Sequence, residues 1–210
     1  MTISLTNTGK RFNRDWIFRH LNFRFESGTS YAITGSNGSG KSTLLQVIAG
    51  AISPSQGKVE YYTPDINQHQ PTPPENIFQY ISIAAPYLEL IEEMTLEEFL
   101  LFHKEFKPLL PSLSIQKIIS VIGLDSARTK QIRYFSSGMK QRVKLAQSFF
   151  SDTPVLLLDE PCTNLDAEGV ELYLKLYSEY CSGRLVIISS NDPVEYSFCR
   201  EVIRMAEFKV

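Results

Sequence analysis

The sequence has little of what marks membrane-spanning, secreted or disulfide-rich proteins. Its 210 residues contain no apolar run close to the ~20 residues that a membrane-crossing helix needs. The first four residues, Met-Thr-Ile-Ser, have neither the basic nor the apolar segment of a signal peptide. The three cysteines, Cys162, Cys181 and Cys199, form no CxxC pair, which disfavours a disulfide framework or a zinc site. We therefore expect a cytoplasmic protein, so any membrane function would need a partner that supplies the membrane part.

Net charge is also small. The chain has 21 Lys+Arg against 23 Asp+Glu, a net charge of -2, whereas nucleic-acid binding usually requires a basic face. We therefore expect no nucleic-acid partner, and any bound phosphate must be held by local geometry. Hydrophobic residues make up 43% of the sequence, which is typical of a globular protein. The length indicates one domain, or a domain with an insertion.

Strand and helix patterns alternate along much of the chain. They predict, in order, strands over 17–25 and 30–34, a helix over 42–49, strands over 58–62 and 155–158, a helix over 167–181, a strand over 185–189, a helix over 193–199 and a strand over 201–205. The continuous apolar run at 155–158 is typical of a strand buried on both faces of a parallel sheet. One face of the helix over 167–181 would pack on that sheet through Val170, Tyr173, Leu174 and Tyr177.

Two stretches interrupt this alternation. Residues 63–76 are polar and rich in proline, which predicts a surface loop. Residues 87–150 look mainly helical, and Thr95-Leu96-Glu97-Glu98 resembles a capping box at a helix start. Later in the chain, Asp192-Pro193 with Glu195 as the acid of the first turn is also typical of a helix start. The arrangement as a whole predicts an α/β fold.

A glycine-rich loop follows the strand predicted at 30–34. The residues Gly35-Ser36-Asn37-Gly38-Ser39-Gly40-Lys41-Ser42 match the G-x-x-x-x-G-K-[ST] pattern, and a helix is predicted directly after them. Glycines let backbone N–H groups approach phosphates, and the helix N-terminus favours negative charge. The alternative is a Gly/Ser-rich turn that contains this pattern by chance, but the strand–loop–helix context disfavours it. The candidate nucleotide-binding residues are Gly35, Ser36, Asn37, Gly38, Ser39, Gly40, Lys41, Ser42 and Thr43.

Within this loop, Lys41 is expected to reach the β- and γ-phosphates, and the Ser42 hydroxyl to ligate Mg²⁺. Two acids, Asp159 and Glu160, come directly after the buried strand at 155–158. In open α/β sheets ligands bind at the carboxyl ends of the strands. Asp159 is therefore expected to contact Mg²⁺ directly or through water, and Glu160 to polarise the attacking water. A solvated acidic turn is the alternative explanation of the pair.

These motifs, together with Phe135-Ser136-Ser137-Gly138-Met139-Lys140-Gln141-Arg142, resemble the ABC (ATP-binding cassette) ATPase family over nearly the whole chain. In that family an L-S-G-G-Q signature opens a helix and contacts the γ-phosphate of ATP on the other subunit. Ser136 and Gly138 match the signature here, whereas Phe135, Ser137 and Met139 depart from it. The resemblance implies that Ser136 donates its hydroxyl to the partner's ATP. A plain helix N-cap is the alternative.

The resemblance extends to two further positions. Thr163-Asn164-Leu165-Asp166 is similar to the family's D-loop, which places Asp166 at a subunit interface; an N-cap for the helix from Ala167 is an alternative that is compatible with this role. Phe12 lies where family members carry an aromatic residue stacked on adenine. Ordinary sheet packing is its alternative explanation, and Trp16 competes for the role.

Two departures from the family concern residues that sense the γ-phosphate. Members usually carry a glutamine near the position of Ala85-Pro86-Tyr87, but no glutamine occurs between Gln79 and Gln116. Members also carry a histidine after the strand at 185–189, where this chain has Asn191. An asparagine can donate a hydrogen bond to the γ-phosphate but cannot carry a proton. The chain's three histidines, His20, His69 and His103, are expected on the surface.

The resemblance implies a P-loop NTPase core with a mainly parallel sheet, an N-terminal antiparallel β subdomain and an inserted helical subdomain. Residues 1–210 would form one ABC ATPase domain, with 1–80 and 151–210 as the nucleotide-binding core and 85–150 as the helical part that carries the signature. The implied function is ATP binding and hydrolysis. A second ABC subunit, expected to be another copy of the chain, would join it when ATP binds. A membrane permease would hold it at the inner face of the cell membrane.

Other functions stay open from the sequence. One is a regulatory cassette that binds ATP and dimerises but hardly hydrolyses it, which the two departures favour and Glu160 opposes. Another is a soluble ABC ATPase that acts on DNA or ribosomes, which the near-neutral charge disfavours. For a permease, the candidate docking surface is the apolar and aromatic stretch 84–90, with burial in the helical part as the alternative.

Overall fold

A computed structural model describes residues 1–63 and 71–209. The strands among these residues are β1 (Thr2–Phe12), β2 (Asp15–Phe25), β3 (Ser30–Thr34), β4 (Gln56–Tyr62), β5 (Ile81–Ala84), β6 (Val155–Asp159), β7 (Leu185–Ser189) and β8 (Glu201–Arg204). The α-helices are α1 (Lys41–Ile48), α2 (Leu96–Phe106), α3 (Ile115–Val121), α4 (Ser137–Phe149), α5 (Ala167–Tyr180) and α6 (Pro193–Tyr196). Short 3₁₀ helices follow at 74–79, 125–127, 132–134 and 205–208.

The strands form two sheets. The first is antiparallel, with the order β2-β1-β4, and the second is parallel, with the order β5-β6-β7-β3-β8. Helices α2, α3 and α4 all lie in the chain between β5 and β6. The parallel sheet, the antiparallel sheet and the helices confirm the P-loop NTPase fold predicted from the sequence.

Both faces of the parallel sheet are buried, which explains the unbroken apolar sequence of its central strands. Leu156 and Leu158 of β6 pack into a core shared with the helices on one face. Val155 and Leu157 pack into a second core with α1 and the antiparallel sheet on the other face. Because side chains of a strand alternate between faces, this one strand contributes to both cores.

A buried arginine connects the helical insertion to the parallel sheet. Arg184, 8% exposed, donates from Nη1 to the Phe149 carbonyl at the end of α4 (2.8 Å). Its Nη2 donates to the hydroxyls of Ser82 in β5 (3.1 Å) and of Thr153 just before β6 (2.9 Å). A guanidinium suits this place because helix C-termini carry partial negative charge.

Several local predictions are confirmed. Thr95 caps α2 in a capping box, since its hydroxyl accepts from the Glu98 N–H and the Glu98 carboxylate accepts from the Thr95 N–H. Asp192 caps α6, with Pro193 as its first residue. Across residues 1–63 and 71–209, no helix is both long enough and apolar enough to span a membrane.

Other predictions need correction. In α5, Leu174 is exposed and Leu176 is buried instead, because the face that packs on the sheet runs through Gly169, Tyr173 and Leu176. His20 is exposed as predicted, but His103 is half-buried and its Nε2 lies 2.9 Å from the Ser151 hydroxyl. Burial lowers the pKa of His103 to about 4, with Lys107 contributing.

The predicted loop at 63–76 is described in part. Thr63 is buried and its hydroxyl lies 3.2 Å from that of Thr72, and a 3₁₀ helix begins at Pro74. His69 and the remainder of that loop, 64–70, lie outside the described residues.

Candidate functional site

The glycine-rich loop and the two acids meet at one edge of the parallel sheet. Strands β3, β7 and β6 are neighbours and end at this same edge. Asp159 is paired with Ser189 across β6 and β7, and the Ser190 N–H donates to the Ile33 carbonyl of β3 (3.1 Å). The segments that follow the three strands therefore emerge side by side.

The loop after β3 turns through conformations that favour glycine. Gly35, Gly38 and Gly40 have φ angles of 151°, 77° and 99°. At Gly40 a β-carbon would overlap Cγ2 of Ile17 from β2, so this position requires glycine for space as well as for φ. Lys41, which begins α1, is buried, and its Nζ donates to the Gly35 carbonyl (2.7 Å). The backbone of the loop therefore surrounds the Lys41 side chain.

A cleft of about 210 Å³ opens beside this loop. Its lining residues are far apart in the sequence, since Glu160 forms part of the wall together with residues of the loop. The lining residues are Asn37, Gly38, Gly40, Lys41, Ser42, Thr43 and Glu160. Ser39 lies beneath, with a buried hydroxyl that has no hydrogen-bond partner, and Gly35 and Ser36 form the start of the loop.

The two acids after β6 differ in environment. Asp159 is 2% exposed, and its Oδ1 has no hydrogen-bond partner among residues 1–63 and 71–209. A buried carboxylate oxygen is costly without a partner, and a cation is one of the few groups that supply one. A carboxylate with a nearby serine hydroxyl suits Mg²⁺, which takes one or two protein oxygens and fills its other positions with water and phosphate. Asp159 and Ser42 therefore fit the predicted metal.

Glu160 has a strained backbone. Its φ is 44°, a left-handed conformation that costs a side-chain-bearing residue roughly 1–3 kcal/mol. Its N–H donates to the Ser189 carbonyl of β7 (2.8 Å), which ties the turn to the neighbouring strand. This turn directs Glu160 into the cleft while Asp159 stays within the sheet.

Asn191, in the segment after β7, is hydrogen-bonded to the loop. Its Oδ1 accepts from the Gly35 N–H (3.1 Å), and its Nδ2 donates to Oδ1 of Asn37 (3.3 Å). The side chain therefore spans the start of the glycine-rich loop, at the edge where the sequence predicts a phosphate-sensing group.

Ser136, Gly138 and Asp166 are not part of the cleft in this chain. The Ser136 hydroxyl caps α4 by accepting from the Met139 N–H (3.2 Å), and Asp166 caps α5 by accepting from the Gly169 N–H (2.9 Å). Helix capping, which was the alternative to an interface role for each of these two residues, is therefore observed for both. Both side chains are also exposed, so they remain accessible to another molecule. Gly138 packs close to the Asn164 carbonyl, so the segment that carries Ser136 contacts the segment that carries Asp166.

Comparison with known proteins identifies the family. The ABC transporter family model matches residues 18–163. The chain belongs to the ABC transporter family. It is 29% identical over 206 residues to the cytochrome c biogenesis ATP-binding export protein CcmA of Agrobacterium fabrum, covering 96% of this chain and 94% of that protein. It is 31% identical over 194 residues to ABC transporter I family member 1 of Arabidopsis thaliana, covering 91% and 82%.

Solved structures show the same fold. A dimeric ATP-binding cassette bound to ADP and phosphate in a post-hydrolysis state superposes with a TM-score of 0.78 at 22% identity. The match covers 96% of this chain and 93% of that one. With the family established by sequence, the chain is an ATPase of the ABC type and an ATP-binding subunit of a transport system.

Two aromatic residues, Phe12 and Trp16, are candidates for stacking on the adenine of ATP. Phe12 is 49% exposed at the end of the β1–β2 hairpin, with the Lys10 ammonium 5.1 Å from the ring centre. Trp16 is only half-exposed, since the Arg19 guanidinium stacks 4.3 Å from its ring centre. The same hairpin contacts the loop through Ile17 and Gly40. Phe12 is therefore the more accessible of the two aromatic rings.

The position of the missing glutamine is occupied by the tight turn after β5. Ala85 is buried, and Lys144 of α4 donates to the Pro86 carbonyl (2.8 Å). Tyr87 lies near Gln46 of α1, and burial raises the pKa of its phenol, with the Asp159 carboxylate adding to the rise. Glu89, the one acid in this stretch, is exposed.

Glu195 lies in the first turn of α6, as predicted, and its carboxylate also reaches the segment after β6, which was not predicted. Glu195 is buried, and its Oε1 accepts from the Cys162 N–H (2.7 Å), in the segment that follows Glu160. On the other side, Gln141 of α4 donates to the Pro161 carbonyl (2.8 Å). No local pattern in the sequence indicates either bond, because each joins residues at least 20 positions apart.

Gly40→Ala should weaken ATP binding by about tenfold or more, because the added methyl group overlaps Ile17 and the φ of 99° is strained for alanine. A titration with a fluorescent ATP analogue measures the effect. Gly183→Ala is the matched control, since Gly183 has a φ of 78° but open space around its β-carbon. The control should lose about 1 kcal/mol of stability and bind ATP normally. Equal affinity for both variants would contradict the steric argument.

Proposed function

We propose that this protein hydrolyses ATP at the edge of its parallel sheet and drives a separate membrane permease. The observation that supports this most is the cleft that combines the loop's Lys41 and Ser42 with Glu160, next to an unpaired oxygen of Asp159. Residues 1–80 and 151–210 would form the nucleotide-binding core, and residues 85–150 the helical part.

Binding of ATP uses the loop. Lys41 would exchange its bond to the Gly35 carbonyl for oxygens of the β- and γ-phosphates, and the N–H groups of 35–43 would cradle these phosphates. Asp159 and Ser42 would hold Mg²⁺. When bound, Mg²⁺ neutralises charge on the phosphate oxygens. Phe12 would stack on the adenine.

Hydrolysis uses Glu160 and Asn191. Glu160 would polarise the attacking water, for which its place in the cleft wall is suited. Asn191 would turn its Nδ2 from Asn37 to the γ-phosphate, acting as a hydrogen-bond donor that carries no proton. Its present bonds to the loop keep it within reach of that phosphate.

Lys41→Ala and Glu160→Gln should each lower Mg²⁺-dependent ATP hydrolysis by about 100-fold or more, the first through lost phosphate binding and the second through lost water activation. Phosphate release by the purified protein measures the rate. Lys104→Ala and Glu105→Gln, both exposed on α2, serve as matched controls and should hydrolyse normally. Unchanged hydrolysis by Glu160→Gln would show that another group activates the water.

We further propose that two copies of the chain complete each other's sites. Ser136, Gly138 and Asp166 are exposed or near the surface and lie outside the cleft of their own chain, so a second copy could contact them. The exposed N-terminus of α4 suits a phosphate, since it offers N–H groups and partial positive charge. ATP would stabilise the dimer by binding it better than the separate chains.

Mixing two inactive variants tests this arrangement. Ser136→Asp keeps a good N-cap for α4 but sets a negative charge against the partner's phosphate, so the variant should be inactive yet folded. Mixed with Lys41→Ala, it should restore roughly a quarter of normal hydrolysis, because half of randomly formed dimers are mixed and each has one intact site. A mixture that stays inactive while light scattering shows mixed dimers would contradict shared sites.

A groove of about 650 Å³ is the surface we assign to the permease. Phe78, 61% exposed, and Tyr87, 45% exposed, line it together with Gln46 from α1. Within the stretch 84–90, Ala84, Ala85 and Leu90 are buried in the core, so only its middle contributes exposed apolar surface. Tyr87 lines the groove and also feels the charge of Asp159, so a partner bound in the groove would lie close to the proposed metal ligand. A relative named as an export protein supports the assignment of this groove to a permease. Under this proposal the chain lies on the cytoplasmic side of the membrane.

Phe78→Glu should abolish co-purification of a polytopic membrane protein from detergent-solubilised membranes, because it buries a charge in an apolar contact. Basal ATP hydrolysis should not change. Leu174→Glu, on the exposed face of α5, is the matched control and should co-purify the same protein. Absence of any membrane protein with either chain would favour an ABC ATPase that works away from membranes.

The second candidate is a regulatory cassette that binds ATP and dimerises with little hydrolysis. It is favoured by the lack of a glutamine near Ala85-Pro86-Tyr87 and by the bonds that hold Asn191 on the loop. Measurable ATP binding and ATP-dependent dimerisation, without turnover in the presence of the permease, would establish it. Turnover that Glu160→Gln abolishes would exclude it.

A further inference from the structure

A buried carboxylate lies behind Glu160. Glu195 of α6 is 4% exposed and is not among the residues that line the cleft. Its Oε1 accepts from the Cys162 N–H (2.7 Å), two residues after Glu160. Since α6 follows Asn191 directly, this bond joins the segment after β7 to the segment after β6.

Three donors act on the Glu195 carboxylate. The Cys162 N–H is hydrogen-bonded to it (2.7 Å), and the Cys162 thiol and the Ser190 hydroxyl are close enough to lower its pKa. Burial raises the pKa of Glu195, and these three bonds oppose the rise because each favours the charged form. Burial and the Glu195 carboxylate raise the pKa of the Cys162 thiol, which therefore keeps its proton and can donate it.

The segment from Glu160 to Cys162 is held from other sides as well. The Glu160 N–H is bonded to Ser189, and Gln141 donates to the Pro161 carbonyl. Glu195 is itself fixed, because the Tyr173 hydroxyl donates to its backbone carbonyl (2.7 Å). A left-handed residue such as Glu160 persists only where its surroundings enforce that conformation.

We propose that Glu195 is a positioning residue for ATP hydrolysis, which in its ionised form holds the 160–162 turn so that Glu160 faces the water-attack position. This inference rests on the proposed role of Glu160. An ionised carboxylate accepts all three bonds, whereas a protonated one must place its own hydrogen among donors. Protonation or amidation of Glu195 would therefore loosen the turn without touching the nucleotide.

Hydrolysis should then depend on pH through Glu195. The titratable groups that face Glu195 are the Cys162 thiol, the Tyr173 phenol and the Asp192 carboxylate, and the charge of Asp192 further raises the pKa of Glu195. Because this pKa is raised, Glu195 loses its charge at a higher pH than an ordinary glutamate as the solution is acidified. The rate should therefore fall on acidification at a higher pH in the unmodified protein than in Glu195→Gln, which has no carboxyl group to protonate at this position.

The test compares Glu195→Gln, Glu160→Gln and Glu201→Gln, the last altering an exposed glutamate on β8. For Glu195→Gln we expect kcat to fall about tenfold or more, ATP affinity to stay within about twofold, and the acid-side fall of kcat to move to lower pH. Thermal unfolding of each variant runs in parallel. Glu201→Gln should match the unmodified protein in every measurement.

Each other outcome overturns a defined statement. If Glu160→Gln abolishes hydrolysis but Glu195→Gln keeps normal kcat and an unchanged pH profile, Glu195 has no positioning role. If kcat, ATP affinity and melting temperature fall together, Glu195 is only structural. If Glu195→Gln does not fold, Glu195→Asp decides, because its shorter side chain keeps the charge but withdraws it from the Cys162 N–H, so an unchanged kcat would contradict the positioning role. If Glu160→Gln hydrolyses normally, the proposed function itself fails.

Discussion

The hydrogen-bonded register of β6, β7 and β3 decides where every group of the nucleotide site lies. Asp159 is paired with Ser189, and the Ser190 N–H reaches Ile33, so the three chain segments leave the sheet from adjacent strands, each one strand spacing from the next. A shift of one residue in β6 would turn Asp159 to the opposite face and carry Glu160 away from Lys41. The burial of this strand on both faces makes such a shift costly, because either face would then receive a carboxylate.

The unfavourable features of the chain are concentrated at that edge. An unpaired oxygen of Asp159, the left-handed Glu160 and the constrained glycines of the loop each cost folding free energy. The compensating stability comes from the two apolar cores that the sheet separates and from bonds such as those of Arg184, which lie at a distance from the cleft. A phosphate and a cation would give the strained groups the partners that the folded chain does not provide.

Features of the fold and of the site could be predicted from the sequence where residues that are neighbours along the chain determine them. The loop at 35–42 and the acids at 159–160 are set by neighbours in the sequence, and so are the caps of α2 and α6. Strands β1 and β5 were not predicted, because β1 contains Asn7, Gly9 and irregular pairing, and β5 has only four residues. The bond from Glu195 to Cys162 and the burial of His103 depend on packing between distant segments, which no short pattern reveals.

The two departures from the family pattern change how the site handles protons. Histidine is the side chain whose ordinary pKa lies near neutrality, and Asn191 replaces it with an amide that forms hydrogen bonds in the same manner at any pH. Among the residues that line the cleft, Lys41 and Glu160 are the ionisable ones. In the proposed mechanism, the proton of the attacking water goes to the Glu160 carboxylate, and Asn191 contacts the γ-phosphate without carrying a proton. Under that proposal the rate depends on the position of Glu160, and therefore on the turn that Gln141, Ser189 and Glu195 hold.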